Sequence, residues 1–409
     1  MKSTYTHLLG LVVASYIVAC APVKFEKQVN CGSGFNCVSA NGKNVYDYTT
    51  KISGGKVDIV FIDDNSASMS TEQNSIANRF SSFLSSLDNK NIDYRIGIIT
   101  TDVSTSPYNS ARAINQNGAL QDGRLIVFGD GSSFLTPSTA NKESLFGQAI
   151  KRNETLTCEA YLNTNPTAGQ TSTSYQQNCP SPDERGIKAA NLFVRGNPAS
   201  MIRSDAHLAF VVLSDEDVRS SLYTKTTTYA LETDDLPQTL IENVNNLYAG
   251  KSMSFHSIIV RPGQLVNGVT AEQVINGIAT FASSKLEATQ YFSQYFTGAD
   301  VACLNVQSTQ TNNVLGSYGY MYSLLTKMTG GIEGNICAND YGSQLSSIGD
   351  NIGQRVNDLQ LACATPENLQ LDFVSGTAVS FHIEGSVLKF DQALSAGTEV
   401  RVRYGCENN

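Results

Sequence analysis

The sequence predicts a layered α/β protein, a doubly wound and mostly parallel sheet followed by a small C-terminal antiparallel β-module. Two patterns carry that expectation. Apolar, β-branched runs, VDIVFID at 57–63, YRIGIIT at 94–100, HLAFVVL at 207–213 and MSFHSIIV at 253–260, alternate with segments of helical spacing. Strands without a polar face belong in a parallel sheet covered by helices on both sides. After Cys363 the texture changes to LQLDFV, AVSFHIEG, VLKF and TEVRVRYGC, separated by SGT, EGS and SAGT, a pattern of antiparallel strands and tight turns.

At 409 residues, one large domain of residues 54–360 with insertions and a β-module over 361–409 is the expected division. Hydrophobic residues at 41% and charged residues at 16% describe a foldable chain. A net charge of -9 with no Lys/Arg cluster argues against a nucleic-acid partner. Residues 1–19 read as a signal peptide: Lys2 gives positive charge and LLGLVVASYIVA a short apolar run. The run ends Ile17-Val18-Ala19-Cys20, which resembles the lipobox of bacterial lipoproteins. That resemblance implies a diacylated Cys20 and, with Ala21 following it, an outer-membrane anchor facing the periplasm or the cell surface. Acyl chains give stable attachment without a transmembrane helix. The alternative is an ordinary signal peptide cut near Ala19. Residues 20–53, polar and rich in Gly, Asn and Ser, read as a tether.

Setting Cys20 aside leaves eight of the nine cysteines, an even number that suits disulfides in an exported chain. Sequential pairing is expected: Cys31 with Cys37, Cys158 with Cys179, Cys303 with Cys337, and Cys363 with Cys406.

Along the main domain, Ile76, Phe80, Phe83, Leu84 and Leu87 share one helix face between the first two strands. LIVF at 125–128 is a possible strand, and Lys142–Lys151 a helix. Residues 153–182 read as a stapled surface insertion, and Asp183–Val194 as a helix. Another helix starts at Pro237, with Leu240, Ile241, Val244 and Leu247 on one face. A further helix falls near 271–284, YFSQYF at 291–296 has no assignment beyond a second insertion, and YMYSLLTKMTGG precedes a last strand at GNICA. The closing helix carries Leu345, Ile348, Ile352 and Val356 as its stripe.

The chemistry lies in VDIVFIDDNSASMS, where a buried strand delivers Asp64, Ser66 and Ser68 just before a helix. Oxygen donors at i, i+2 and i+4 in a tight loop suit a hard cation, Mg2+ first, with Mn2+ or Ca2+ as alternatives. Helix capping explains one such residue but not the set. The D-x-S-x-S loop between strand and amphipathic helix resembles the metal-ion-dependent adhesion site of von Willebrand factor A domains, a Rossmann-like fold. The resemblance covers roughly residues 54–360 and extends to the TGG turn before the last strand.

That resemblance implies that Asp215, in FVVLSDEDV, is the second metal-site aspartate, held through water, while Glu216 and Asp217 are solvated or loop-shaping charges. The family's threonine has no counterpart in PSPDERGIKAA. Glu184 is a candidate replacement, with Asp183 and Ser181 as rivals, and helix first-turn charges are the alternative reading. A third carboxylate would hold the metal more firmly and weaken it as an electrophile. Asp102 is read as a loop cap or as lining the site.

No catalytic motif is present, and His207, His256 and His382 read as core or strand-surface residues. The family's open coordination position takes an acidic group of a partner, so the expected role is metal-dependent binding of a protein or glycan at the envelope, not catalysis. Loops at 102–140, 153–182 and 216–235 would set specificity. The alternative is a structural envelope scaffold whose metal site only stabilises it. The lipobox makes one direct prediction: palmitate labelling of cells expressing the full chain marks the protein, and Cys20→Ser abolishes the label.

Overall fold

The structure is a computed structural model. It describes residues 29–30, 36–40, 43–52, 55–104, 120–169, 172–181, 183–219, 231–248, 251–278, 288–309, 316–356, 359–384, 387–391, 394 and 397–407. The expected signal peptide, Cys20 and Cys31 lie outside the described residues.

Three strands open the chain, β1 (Val29–Asn30), β2 (Asn36–Ala40) and β3 (Lys43–Lys51). β4 (Lys56–Asp63) then leads through α1 (Ser70–Asp88) to β5 (Asp93–Thr100). Four helices follow, α2 (Lys142–Ile150), α3 (Asn153–Thr164), α4 (Thr173–Asn178) and α5 (Gly186–Gly196), before β6 (His207–Leu213). α6 (Pro237–Leu247) precedes β7 (Met253–Ile259). A short pair, β8 (Gln264–Leu265) and β9 (Phe296–Thr297), flanks α7 (Ala271–Asn276). The helix Tyr320–Met328 feeds β10 (Glu333–Asn335), and the helix Tyr341–Arg355 closes the domain.

The main sheet is five-stranded in the order β10-β7-β6-β4-β5, parallel throughout. Alternate residues of each strand enter separate cores. Val57, Ile59 and Phe61 pack on α1 and the closing helix, with Phe61 edge-on to Phe83 at 5.4 Å and to Phe146 at 4.9 Å. Val60 and Ile62 join α5, α6 and the helix Tyr320–Met328 on the other face. Fully buried strands with helices on both sides match the doubly wound expectation. The order reverses at β4, which has β5 on one side and β6 on the other. The crevice where ligands bind in open α/β sheets therefore falls at the C-terminal ends of β4 and β6.

Several expectations change. LIVF at 125–128 is not a strand, since Gly131 N bonds back to Phe128 O and the chain turns away after Ile126 N reaches Ile98 O at 2.8 Å. The segment YFSQYF joins the core, where Phe292 stacks on Tyr320 at 4.8 Å. The helix expected from Asp183 starts at Gly186.

The largest change concerns the tether. Within 20–53, β3 pairs antiparallel with β15 (Glu399–Glu407) along its whole length, from Lys43↔Glu407 to Lys51↔Glu399. The two ends of the described chain therefore build one module. Its larger sheet has the order β1-β2-β3-β15-β12, with β12 at Glu367–Phe373. A second sheet orders β11 (Leu359–Gln360), β14 (Val387–Phe390) and β13 (Phe381–Glu384) as β11-β14-β13. Tyr46, Val400, Val402, Tyr404 and Leu388 are its core, with Tyr46 stacked on Tyr404 at 4.8 Å. The expected bridges Cys158–Cys179, Cys303–Cys337 and Cys363–Cys406 are all formed, and Cys37 is disulfide-bonded. No helix among the described residues is long and apolar enough to cross a membrane.

Because the Tyr46–Tyr404 stack joins strands from opposite ends of the chain, Tyr404→Ala should destabilise the β-module by about 3 kcal/mol, as aromatic truncations in cores do. Urea unfolding followed by tyrosine fluorescence measures the loss.

Candidate functional site at the sheet crevice

The two strands that flank the crevice are tied at their ends, where Asp64 N donates to Leu213 O at 3.1 Å. Beyond that bond their loops diverge. Ser66 N donates to Asp64 Oδ1 at 2.9 Å, folding the first loop over its own aspartate. A short 3-10 turn, Ala67–Met69, then brings Ser68 back. The Ser66 and Ser68 hydroxyls lie 2.9 Å apart, and Ser68 Oγ donates to Asp215 Oδ1 at 3.1 Å. From the second loop, Ser214 Oγ donates to Asp64 Oδ2 at 2.6 Å. Asp64, Ser66, Ser68 and Asp215 thus form one patch of oxygen atoms spanning the crevice.

Its electrostatics are unfavourable as they stand. Asp64 and Asp215 are fully buried and Glu184 and Glu216 nearly so. Burial, and then mutual repulsion, raises the carboxyls of Asp215, Glu184 and Glu216 well above the usual carboxylate range. Burial raises Asp64 as well, against its hydrogen bonds from Ser214 and Ser66. Asp215 Oδ2 is buried without a hydrogen-bond partner. A buried acceptor left this way costs free energy until a donor or a cation reaches it. Carboxylate and hydroxyl oxygens without sulfur or imidazole fit a hard divalent cation. Among the described residues no group of three or more His, Cys, Asp or Glu converges on one point, so the serine hydroxyls are essential to any such donor set.

The rivals of Glu184 have other work. Asp183 forms a paired contact with Arg219, both bonds at 3.0 Å, and Ser181 Oγ accepts Asp183 N. Glu184 lies beside Asp64, Asp215 and Glu216, each raising its pKa. Asp102 caps its loop, accepting Leu120 N at 3.0 Å and Ser181 N at 3.3 Å. His207 and His256 are buried within the sheet, and burial holds both below the usual histidine range.

Glu216 and Asp217, read as solvated or loop-shaping charges, are buried, which removes the solvated reading. Glu216 faces Glu184, and its exposure is only 7%. Asp217 accepts Met321 N at 3.0 Å at the start of the helix Tyr320–Met328, and burial pushes its carboxyl up to about 7. Sequence reasoning also passed over Ser214, whose hydroxyl orients Asp64. Its place at the end of a fully buried strand, just before Asp215, was the available signal. Behind the loops, fully buried Arg185 binds Asp235 at 2.7 Å and Glu232 at 2.8 Å, and Glu232 also meets Arg219. These pairs hold the loops after β6 and before α5 together.

The class of protein defined to this point is a mixed α/β protein with a parallel five-stranded sheet, an acidic crevice at its switch point, and separate antiparallel sheets. No protein-family profile matches the sequence, and no curated protein matches it. Solved structures similar to the chain include the pilus adhesin SpaC from Lactobacillus rhamnosus GG in its open conformation, at 10% identity and a TM-score of 0.29. The alignment covers 91% of this chain, which spans only 42% of that one. The N-terminal domains of the type V pili tip protein Mfa5 from Porphyromonas gingivalis align at 13% identity, covering 89% of this chain and 64% of that one, with a TM-score of 0.26. The human COPII-coat protein Sec24c aligns at 10% identity, covering 89% and 42%, with a TM-score of 0.28.

Carboxyls whose folded pKa is raised bind more protons folded than unfolded, so metal-free stability is greatest below about pH 4 for these groups and falls as pH rises through the raised values. The melting temperature of chelator-treated protein should therefore drop between pH 5 and 8, in part through Asp217 near 7.

Proposed function

We propose that the chain is a metal-dependent binding protein of the bacterial envelope, lipid-anchored through Cys20 and built on a von Willebrand factor A-like domain. Asp64, Ser66, Ser68 and Asp215 would hold the cation, directly or through water, with Glu184, the candidate for the place the family gives to threonine, adding nearby negative charge rather than a third direct carboxylate ligand. A bound Mg2+, Mn2+ or Ca2+ would supply a Lewis-acidic position for an acidic group of a protein or glycan partner. The carrying observation is the buried Asp215 Oδ2, left without a partner in a crevice of mutually repelling carboxylates.

Each residue has a distinct task. Ser214 and Ser66 N orient the two oxygens of Asp64. Ser68 couples the loops by bonding Asp215. Glu184 and Glu216 add negative charge, which favours retention of a cation over strong attraction of a second carboxylate. Nothing in the reading requires a nucleophile or a proton shuttle, and binding rather than catalysis is the role assigned.

Pull-down from envelope extracts tests the reading. Partners should be retained in Mg2+ and lost with chelator, and lost with Asp64→Ala in either buffer. Recovery of the same partners in every case would overturn it and favour a scaffold that binds through its loops or β-module.

A further inference from the structure

The loop Asp64–Ser68 is buttressed from outside the sheet. Two of its peptide carbonyls, Asp64 O and Asn65 O, take side-chain partners from α1 and α3. Thr155, fully buried, donates its hydroxyl to Asn65 O at 2.8 Å. Gln73, on the first turns of α1, donates Nε2 to Asp64 O at 3.0 Å and to Thr155 Oγ1 at 3.1 Å, and its Oε1 accepts Arg152 N at 3.1 Å. The Asn65 side chain reaches Glu154 at 3.2 Å, and Glu154 is itself held by Arg152. One turn further on, Cys158 joins α3 to α4 through Cys179. That disulfide and Tyr175 form a small apolar cluster with Ala67, the residue between Ser66 and Ser68.

We propose that the stapled α3–α4 segment is a clamp for the cation loop, with Thr155 and Gln73 as positioning residues and the Cys158–Cys179 disulfide pressing α3 onto Ala67, so that cation affinity depends on a segment that supplies no ligand. The proposal rests on the cation reading of the crevice. Two consecutive carbonyls, Asp64 O and Asn65 O, are fixed by side chains from outside the loop, and that fixes the peptide planes that aim Ser66 and Ser68. Without the Thr155 hydroxyl, Asn65 O loses its 2.8 Å bond to α3 and Gln73 Nε2 loses one of its acceptors, which loosens the hold of α3 on the loop. A loop held before binding loses less freedom when it binds, so the clamp acts on affinity.

The test is Mn2+ titration of the mature chain by calorimetry, with the electron paramagnetic resonance line shape of bound Mn2+ as a reporter of its coordination. Thr155→Val should weaken Mn2+ binding about tenfold, near 1.4 kcal/mol, and alter the line shape, while Thr155→Ser restores both. Cys158→Ser with Cys179→Ser should weaken binding at least as much. Cys363→Ser with Cys406→Ser, which removes a staple from the β-module, should leave affinity unchanged. Wild-type affinity in Thr155→Val and the Cys158/Cys179 variant, or equal losses in both cysteine pairs, would overturn the clamp while leaving the cation site standing. Absence of Mn2+ binding by the unmodified chain would instead overturn the cation reading, and the clamp with it.

Discussion

Concentrated negative charge at the ends of two adjacent parallel strands is the constraint around which the upper half of this molecule is arranged. β4 and β6 are buried on both faces, so the residues that leave them emerge into a buried crevice. Asp64 and Asp215 enter it from opposite sides, and Glu184 and Glu216 close it. Desolvated carboxylates repel strongly at this range, so hydroxyl donors alone satisfy them only in part. Ser214 and Ser68 each serve one aspartate, and Asp215 Oδ2 remains over.

The surrounding loops answer that charge in two ways. On the α5 side, Arg185, Lys188 and Arg219 engage Asp183, Asp235 and Glu232. Buried ion pairs of this kind are costly to break on one side, and they fix geometry more surely than they add stability. They also neutralise Asp183, while Arg219 N donates to the backbone carbonyl of Glu184 at 3.0 Å. On the α3 side a glutamine and a threonine hydroxyl bond backbone carbonyls of the loop, the Arg152–Glu154 pair meets the Asn65 side chain, and a disulfide lies behind them.

Lys56 begins β4 and Arg355 ends the closing helix, at the edge of the sheet away from the crevice. An eight-residue strand separates that edge from the crevice, roughly 26 Å at the usual rise. Pairing β3 with β15 joins the segment before the main domain to the segment after it, which closes the domain at its base. The pairing of these two nine-residue strands is also what stacks Tyr46 on Tyr404 in the module's core.

Much of this was legible in the chain. Continuous apolar runs announced a buried parallel sheet, the D-x-S-x-S loop announced an oxygen-rich turn, and the cysteine spacings anticipated the three described bridges, because each of these signals is local. Tertiary structure decided what depends on distant partners. β3 hid within a polar segment because its partner lies more than 300 residues away and only one of its faces is buried. Glu216 and Asp217 looked solvated because hydrophilic sequence does not reveal that a loop folds under its neighbours. Asp183 read as a helix first-turn charge or a site ligand, and only the fold shows it paired with Arg219. Residue type and spacing determined which oxygens could meet in this protein, and packing of the loops decided which of them were left without another partner.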